Sequence, residues 1–318
     1  MEMIHIAFCV NDAYVPYICV TVKSIAVNNT MRKIGIHVLT DSISASNSDL
    51  LNEVVSKVPN LSLQVHIVDD SLLRGLRTGN LTLHTWYRLL LSDVLPESIS
   101  RVLYLDADTI VTDNLDELFD MDMGGIAVAG SLDPQSFSDS PFERCGYERA
   151  KQYICAGVLL LNLDVWRKSD LTIKIIEYAR EKKETLIFQD QDAINYLCKD
   201  SKIILPCRYG TILWLYKMDE LYADPFFYKQ LYDGFYHPAI IHYIGCHPWQ
   251  KEIINRHFMH DEWVKYNKML KNPAKRIYGV KFMLAVKTAI HRILYPSKHR
   301  MGMTANDVKS KLSTYGNR

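Results

Sequence analysis

The sequence lacks the features that would place it quickly in a small disulfide-rich, zinc-binding or membrane class. Its seven cysteines, Cys9, Cys19, Cys145, Cys155, Cys198, Cys207 and Cys246, are odd in number and include no C-x-x-C pair. That argues against a disulfide framework and against a thiolate zinc site. Several sit inside apolar runs such as IAFCVN and YICAGV, so buried, reduced thiols in a cytoplasmic protein are expected. No apolar run approaches the roughly 20 residues of a membrane helix. The opening MEMIHIAFCVND has neither a basic leader nor a long apolar stretch, so no secretory signal is expected. There is no internal repeat and no low-complexity segment. Acids are missing altogether from Trp263 to Asn306.

What is present is ordinary in bulk: 318 residues, 48% hydrophobic and 23% charged, enough for a large core. The 19 tyrosines suit carbohydrate or nucleotide contacts, but aromatic packing accounts for most of them. The net charge of +1 hides an asymmetry. Residues 263–318 hold 13 Lys+Arg against one acid, Asp307, for +12; chain totals of 37 and 36 then leave 24 against 35, or −11, in residues 1–262. We therefore divide the chain into a domain, 1–262, and a basic tail, 263–318, with a partner of its own. In the tail, Phe282, Met283, Val286, Ala289, Ile290, Ile293 and Leu294 follow helical spacing, and Lys281, Lys287, His291 and Arg292 fall opposite. A basic amphipathic helix suits an anionic membrane surface, where each Lys or Arg contributes about 1 kcal/mol. The plainer alternative is a terminal helix packed on the domain. Nucleic acid is not expected, since the body is acidic and no recognition motif appears.

Along the domain, strand-like and helix-like segments alternate. IHIAFCV, IGIHVLT, LSLQVHIVD, RVLYLD and IAVAGSLD read as strands, and AGVLLLNLDVWR as a strand running into a turn. Helices are expected at YICVTVKSIAVN, begun by Pro16; at SASNSDLLNEVVSKV, capped by a serine; at TWYRLLLSDVLP, stopped by Pro96; and at DLTIKIIEYAREKK and QDQDAINYLCKD. This alternation predicts an α/β fold with a mostly parallel sheet covered on both faces. Ligands of such sheets bind beyond the carboxyl ends of the strands.

YLDADT lies at one such end. Side chains two residues apart on an extended chain point the same way, so Asp106 and Asp108 can converge on one ion, Mg²⁺ or Mn²⁺. Alternatively, D-x-D-x-T is the nucleophile motif of a haloacid dehalogenase-type phosphatase, or the acids simply end a strand in solvent. The phosphatase motif belongs early in the chain, with a later acidic pair to hold Mg²⁺. Here it falls a third of the way along, and neither D-D nor G-D-x-x-x-D follows it.

Seven segments in order favour another reading: AFCVNDAYVPYICVTVKSI, TWYRLLLSDVLP, RVLYLDADTIV, AGSLD, AGVLLLNLDVW, FQDQDAIN and IHYIGCHPW. Over about residues 3–250 the chain resembles glycosyltransferase family 8, retaining sugar transferases of the GT-A fold that include lipopolysaccharide galactosyl- and glucosyltransferases. The resemblance implies a metal site of Asp106, Asp108 and His242, with the histidine favouring Mn²⁺ over Mg²⁺. It implies a UDP-sugar bound along Cys9, Asn11, Tyr14, Arg88, Asp106, Ala107, Asp108, Asp133, Cys155, Ala156, Asp190, Gln191 and His247. Arg88 would reach the diphosphate or donor sugar, Asp133 and Asp190 would hold sugar hydroxyls, and Gln191 would sit by the anomeric carbon. Asp190 and Gln191 are the expected catalytic pair.

Four positions depart from the family pattern: Asn11 replaces a frequent acid, Ala13 a common Asn, Cys155 the usual Asn and His247 the usual Lys. A thiol is a weak hydrogen-bonding group. With histidine at position 247, the task of holding a phosphate could pass to Lys251. The expected activity is transfer of galactose or glucose from UDP to a glycan or glycolipid, in the cytoplasm or on the inner face of the cell membrane. A nucleotide-sugar- or glycan-binding protein without turnover is the alternative. Residues 133–152 and 209–227 are the expected acceptor segments.

Overall fold

The computed structural model describes residues 2–79, 81–245, 247–250, 257–277 and 303–316. Among the described residues the strands are β1 (Ile4–Cys9), β2 (Ile34–Thr40), β3 (Leu61–Ile67), β4 (Arg101–Leu105), β5 (Thr109–Val111), β6 (Val128–Leu132), β7 (Ile154–Asn162), β8 (Lys202–Leu205), β9 (Thr211–Ile212) and β10 (Ile240–His242). The helices are α1 (Val15–Asn28), α2 (Ala45–Ser56), α3 (Leu91–Val94), α4 (Asp116–Phe119), α5 (Ser140–Cys145), α6 (Leu163–Lys168), α7 (Leu171–Glu181), α8 (Gln189–Leu197), α9 (Asp219–Ala223), α10 (Pro225–Tyr236), α11 (His260–Lys268) and α12 (Ala305–Gly316).

Seven strands form one sheet in the order β3-β2-β1-β4-β7-β6-β8. All neighbours are parallel except around β7, which runs antiparallel to both β4 and β6. The mostly parallel α/β sheet expected from the alternation is therefore borne out. Alternate residues of β1 serve two cores. Ile4, Ile6 and Phe8 face a layer with α1 and α2, while Ala7 and Cys9 face a second layer with Trp86, Tyr87 and Trp166. Burial on both faces is why β2 is apolar or buried at every position.

A second, three-stranded sheet, β5-β10-β9, was not anticipated. Its strands are too short to show a period. Its importance is positional: the chain leaves the large sheet at Leu105 and joins the small one at Thr109, so residues 106–108 form the joint. Antiparallel pairing of β5 with β10 sets His242 opposite Thr109.

Two expectations need correction. TWYRLLLSDVLP is mostly a 3-10 helix, Leu83–Leu90, followed by one α-helical turn, α3. Its buried Trp86, Tyr87, Leu89 and Leu90 are fixed by packing rather than by helical propensity. LDVWR is not a turn but helix α6, capped by Asn162, whose side chain accepts from Val165 N. The Ser44 cap of α2 is as expected, accepting from Asn47 N. The charge shift at residue 263 falls inside α11, whose Trp263 and Tyr266 are buried in the main core. Truncating Trp263 to Ala should cost about 3–5 kcal/mol. The amphipathic segment 281–294 and Lys251 lie outside the described residues. The six described cysteines are buried and free of disulfides, and no described helix is long and apolar enough to cross a membrane.

Candidate functional site

A cleft of about 460 Å³ opens beyond the ends of β1 and β4, where the topology of an open parallel sheet places ligands. Cys9, Asn11, Tyr14, Arg88, Asp106, Ala107, Asp108, Cys155, Ala156, Asp190, Gln191, His242 and His247 all line it. Asp133 does not. It stands behind Gln191, accepting from Gln191 Nε2 at 3.2 Å, and its carboxyl is raised by burial.

Asp106 and Asp108 sit in the turn between the two sheets rather than on a continuing strand. The turn is held at both ends: Asp106 N donates to Gly157 O at 2.8 Å, Thr109 Oγ1 donates to Asp106 O at 2.8 Å, and Tyr243 N donates to Asp108 O at 2.9 Å. The carboxylates still converge, together with His242, so that one ligand atom from each lies within 4.8 Å of the others.

Each of these side chains has one atom occupied and one directed at the shared space. Asp106 Oδ1 accepts from Arg88 Nη2 at 3.1 Å and from the Tyr104 hydroxyl, while Oδ2 lies 3.8 Å from His242 Nε2. Asp108 Oδ2 accepts from His247 Nδ1 at 3.0 Å, while Oδ1 lies 3.3 Å from His242 Nε2. His242 Nδ1 faces Cys155 Sγ at 3.6 Å. Gly157 keeps the space open: a Cβ there would come within 2.1 Å of His242 Cε1 and 2.7 Å of both His242 Nε2 and Asp106 Oδ2. Two carboxylate oxygens and an imidazole nitrogen suit a hard divalent cation such as Mn²⁺, and outer hydrogen bonds of this kind orient metal ligands. Burial alone would keep His242 neutral, but Asp108 outweighs it and holds the imidazole well above its ordinary value.

Arg88 joins this cluster to the other wall. It is buried, donates from Nε to Thr85 O at 3.0 Å and from Nη1 to Ala156 O, and covers the Tyr104 ring. Asp190 Oδ1 accepts from Thr85 Oγ1 at 3.1 Å. Asp190 Oδ2 lies 3.0 Å from Arg88 Nε, but that N–H is already directed at Thr85 O, so Oδ2 is left without a donor. Burial pushes the Asp190 carboxyl up to about 6 against the pull of Arg88. A second buried acceptor, Asn11 Oδ1, also lacks a partner. Buried acceptors left open in a cleft are the groups a polar ligand would satisfy.

At one rim an aromatic stack closes the cleft. His247 lies flat on Trp249, with centroids 5.0 Å apart, and Trp249 on Tyr17 at 4.1 Å. Sequence reasoning did not single out Thr85, Tyr104, Gly157 or Trp249, although each lies in or beside a motif quoted above. Gly157 carried the best signal, as the one residue in YICAGVLLL without a side chain.

The family follows from comparison. A family model described as glycosyl transferase family 8 matches residues 5–252. The chain belongs to that family. Among relatives of this family 8 member, the glycosyltransferase GlyB of Streptococcus pneumoniae serotype 4 is 31% identical over 82% of this chain. The chain spans 61% of GlyB's length. A lipopolysaccharide 1,2-glucosyltransferase of Escherichia coli is 24% identical over 91% of this chain and 90% of its own length. Among solved structures, galactosyltransferase LgtC, in complex with donor and acceptor sugar analogs, matches with a TM-score of 0.75 at 25% identity, over 89% of this chain and 100% of LgtC. The expected GT-A type of α/β fold and the expected class of enzyme, a hexosyltransferase, are borne out for this family 8 chain.

Proposed function

We propose that the protein transfers galactose or glucose from a UDP-sugar to a hydroxyl of a glycan, with retention of configuration and with the help of a divalent metal, Mn²⁺ or Mg²⁺. The acceptor is a lipopolysaccharide or surface polysaccharide under assembly, reached from the cytoplasm, with the basic tail on an anionic membrane surface. The observation that carries this reading is the convergence of Asp106 Oδ2, Asp108 Oδ1 and His242 Nε2 on a space that only a glycine at position 157 leaves open. These three residues would hold the metal, which when bound would neutralise charge on the departing diphosphate.

The remaining groups suit the rest of the donor. Asn11 Oδ1 is an acceptor for the N–H of a pyrimidine ring, and Asp190 Oδ2 for a sugar hydroxyl. Arg88 sits between Asp106 and Asp190, spanning the diphosphate and sugar positions. Gln191 is a poor nucleophile, so retention proceeds by attack on the face the leaving group vacates, with the leaving phosphate taking the acceptor's proton. One observation favours the alternative of a binding protein without turnover. His247 and Cys155 are engaged by Asp108 and His242, and among the described cleft residues Arg88 is the only Lys or Arg.

The test is UDP release from a panel of UDP-sugars, with Mn²⁺ and with chelator, for the wild type and Asp106→Asn. Metal-dependent release from one sugar, abolished in the variant, establishes the transferase and its donor. UDP binding without release from any sugar, acceptor glycans included, establishes the binding protein. Failure to bind UDP overturns the transferase and any nucleotide-sugar-binding role.

A further inference from the structure

The QDQD segment at the start of α8 holds two aspartates in opposite settings. Asp190 lines the cleft and has an oxygen to spare. Asp192 is fully buried away from the cleft wall, and its carboxylate is saturated. Oδ1 accepts from Arg144 Nη2 at 2.8 Å and from the Tyr153 hydroxyl at 2.6 Å. Oδ2 accepts from the backbone N–H groups of Ile187 and Phe188, each at 2.9 Å, and Arg144 Nε lies 3.0 and 3.2 Å from the two oxygens. A carboxylate held by five N–H and O–H donors is not poised to attack or to take a proton.

Its effect passes through Tyr153. That hydroxyl spends its one proton on Asp192, so toward Gln191 it can only accept. Gln191 Nε2 lies 3.2 Å from the Tyr153 oxygen and 3.2 Å from Asp133 Oδ2, two acceptors. Gln191 Oε1 lies 2.9 Å from Ala156 N, which can only donate. All three neighbours therefore agree on one orientation of the carboxamide. Turning it over would set the carbonyl oxygen against a carboxylate and N–H against N–H. Because Ala156 and Gln191 both line the cleft, the carbonyl oxygen is held at its wall with a second lone pair available.

We propose that Arg144, Asp192 and Tyr153 are positioning residues that lock the Gln191 carboxamide with its carbonyl oxygen, not its nitrogen, at the sugar-binding wall. The functional half of this inference rests on the transferase reading above. An oxygen there stabilises the positive charge that grows on the anomeric carbon as the diphosphate departs, and an N–H would oppose it. Arg144 belongs to α5, in a segment that sequence reasoning assigned to acceptor binding. Its guanidinium instead faces inward, over the Phe188 ring at 5.1 Å and the Tyr153 ring at 5.8 Å.

Two readouts on the full chain test this. The first is hydrogen exchange of the Gln191 side-chain amide by NMR, identified by its loss in Gln191→Ala. Slow exchange in the wild type, accelerated at least ~10-fold in Tyr153→Phe, supports the lock. Fast exchange in the wild type, or no change in the variant, overturns it whether or not the protein turns over a sugar. The second is kinetic. Tyr153→Phe should lower kcat roughly 10- to 100-fold and leave KM for the donor within about threefold; in a Gln191→Ala background the same change should do nothing further. A full loss in that background, or a loss confined to KM, overturns the positioning role. Arg144→Gln, at the more accessible end, replaces Tyr153→Phe if the latter does not fold, with the same outcomes expected. A lock seen by exchange in a chain that releases UDP from no sugar would leave the orientation standing and overturn the transferase reading.

Discussion

Among the described residues, two clusters of neighbouring histidines are built in opposite ways. In the cleft, His242 and His247 share the carboxylate of Asp108. On the outer part of the large sheet, His5, His37 and His66 form a row across β1, β2 and β3. Here each imidazole pairs with the next: His5 Nδ1 lies 3.0 Å from His37 Nε2, and His37 Nδ1 lies 3.1 Å from His66 Nε2. His242 and His37 are equally buried, each 2% exposed. Yet burial lowers His37 to about 4, helped by its two histidine neighbours, while His242 is held well above its ordinary value by Asp108. Desolvation acts in the same sense on both, so the carboxylate decides. One group is a neutral structural row. The other has the donor set of a metal site, where a bound cation would replace the proton.

Removing the carboxylate should therefore collapse the difference, and that is the largest effect expected. Asp108→Asn deprives both cleft histidines of their anion and the proposed metal site of a charged ligand. UDP-sugar turnover should fall roughly 1,000-fold or more, corresponding to several kcal/mol of transition-state stabilisation. Mn²⁺ binding, followed by calorimetry, should weaken with it. Turnover within tenfold of wild type would mean that the cluster is not the reaction centre.

A steric change should do nearly as much with no change in charge. In Gly157→Ala the new methyl group would lie 2.1 Å from His242 Cε1, and His242 is backed by Cys155 on its other side. Turnover and metal affinity should drop about 100-fold or more, with UDP binding in the absence of metal changed far less. Equal losses in both would point to general disruption of the cleft.

How much of this was legible in the sequence depends on what each feature needed. The large sheet was readable because β1, β2 and β4 are apolar runs long enough to show their class, and the serine cap of α2 is a local signal. Asp106, Asp108 and His242 were readable through the resemblance carried by their motifs, not through spacing alone. The small sheet was not readable: three strands of two or three residues have no period, and the pairing of β5 with β10 joins residues some 130 apart. The 3-10 character of residues 83–90 is likewise set by packing. The histidine row went unremarked because His5, His37 and His66 sit singly in three separate strands, and only the parallel register brings them together. The inward turn of Arg144 is invisible for the same reason, since its partner Asp192 lies 48 residues later.

The row itself predicts a pH effect of intermediate size. His37 falls from about 6.5 to about 4 on folding, so the unfolded chain binds its proton more tightly. The stabilising contribution is then complete above pH 6.5, shrinks as pH falls and is gone by pH 4, a span of about 3 kcal/mol. His5 and His66 are lowered in the same direction by burial. Urea unfolding at pH 7.5 and pH 5 should show a drop that is smaller by about 2 kcal/mol in His37→Leu than in the wild type. An identical drop in both proteins would show that the row does not titrate with folding.

The smallest effect belongs to a further histidine, which sharpens the contrast because its carboxylate partner is exposed. His84 lines the cleft, with Nε2 3.0 Å from Asp41 Oδ1 and its ring 4.7 Å from that of Tyr87. Asp41 is half exposed, with 49% of its side chain accessible. Solvent screens such a pair, and its worth is at most about 0.5–1 kcal/mol. His84→Ala should change unfolding free energy by no more than that and shift KM for the UDP-sugar by less than about threefold. A carboxylate beside a histidine makes a strong site only where water is shut out, as at Asp108, which is 7% exposed. A loss of turnover in His84→Ala comparable to that in Asp108→Asn would mean that contact with a carboxylate, rather than contact with a buried one, is what sets the two histidine groups apart.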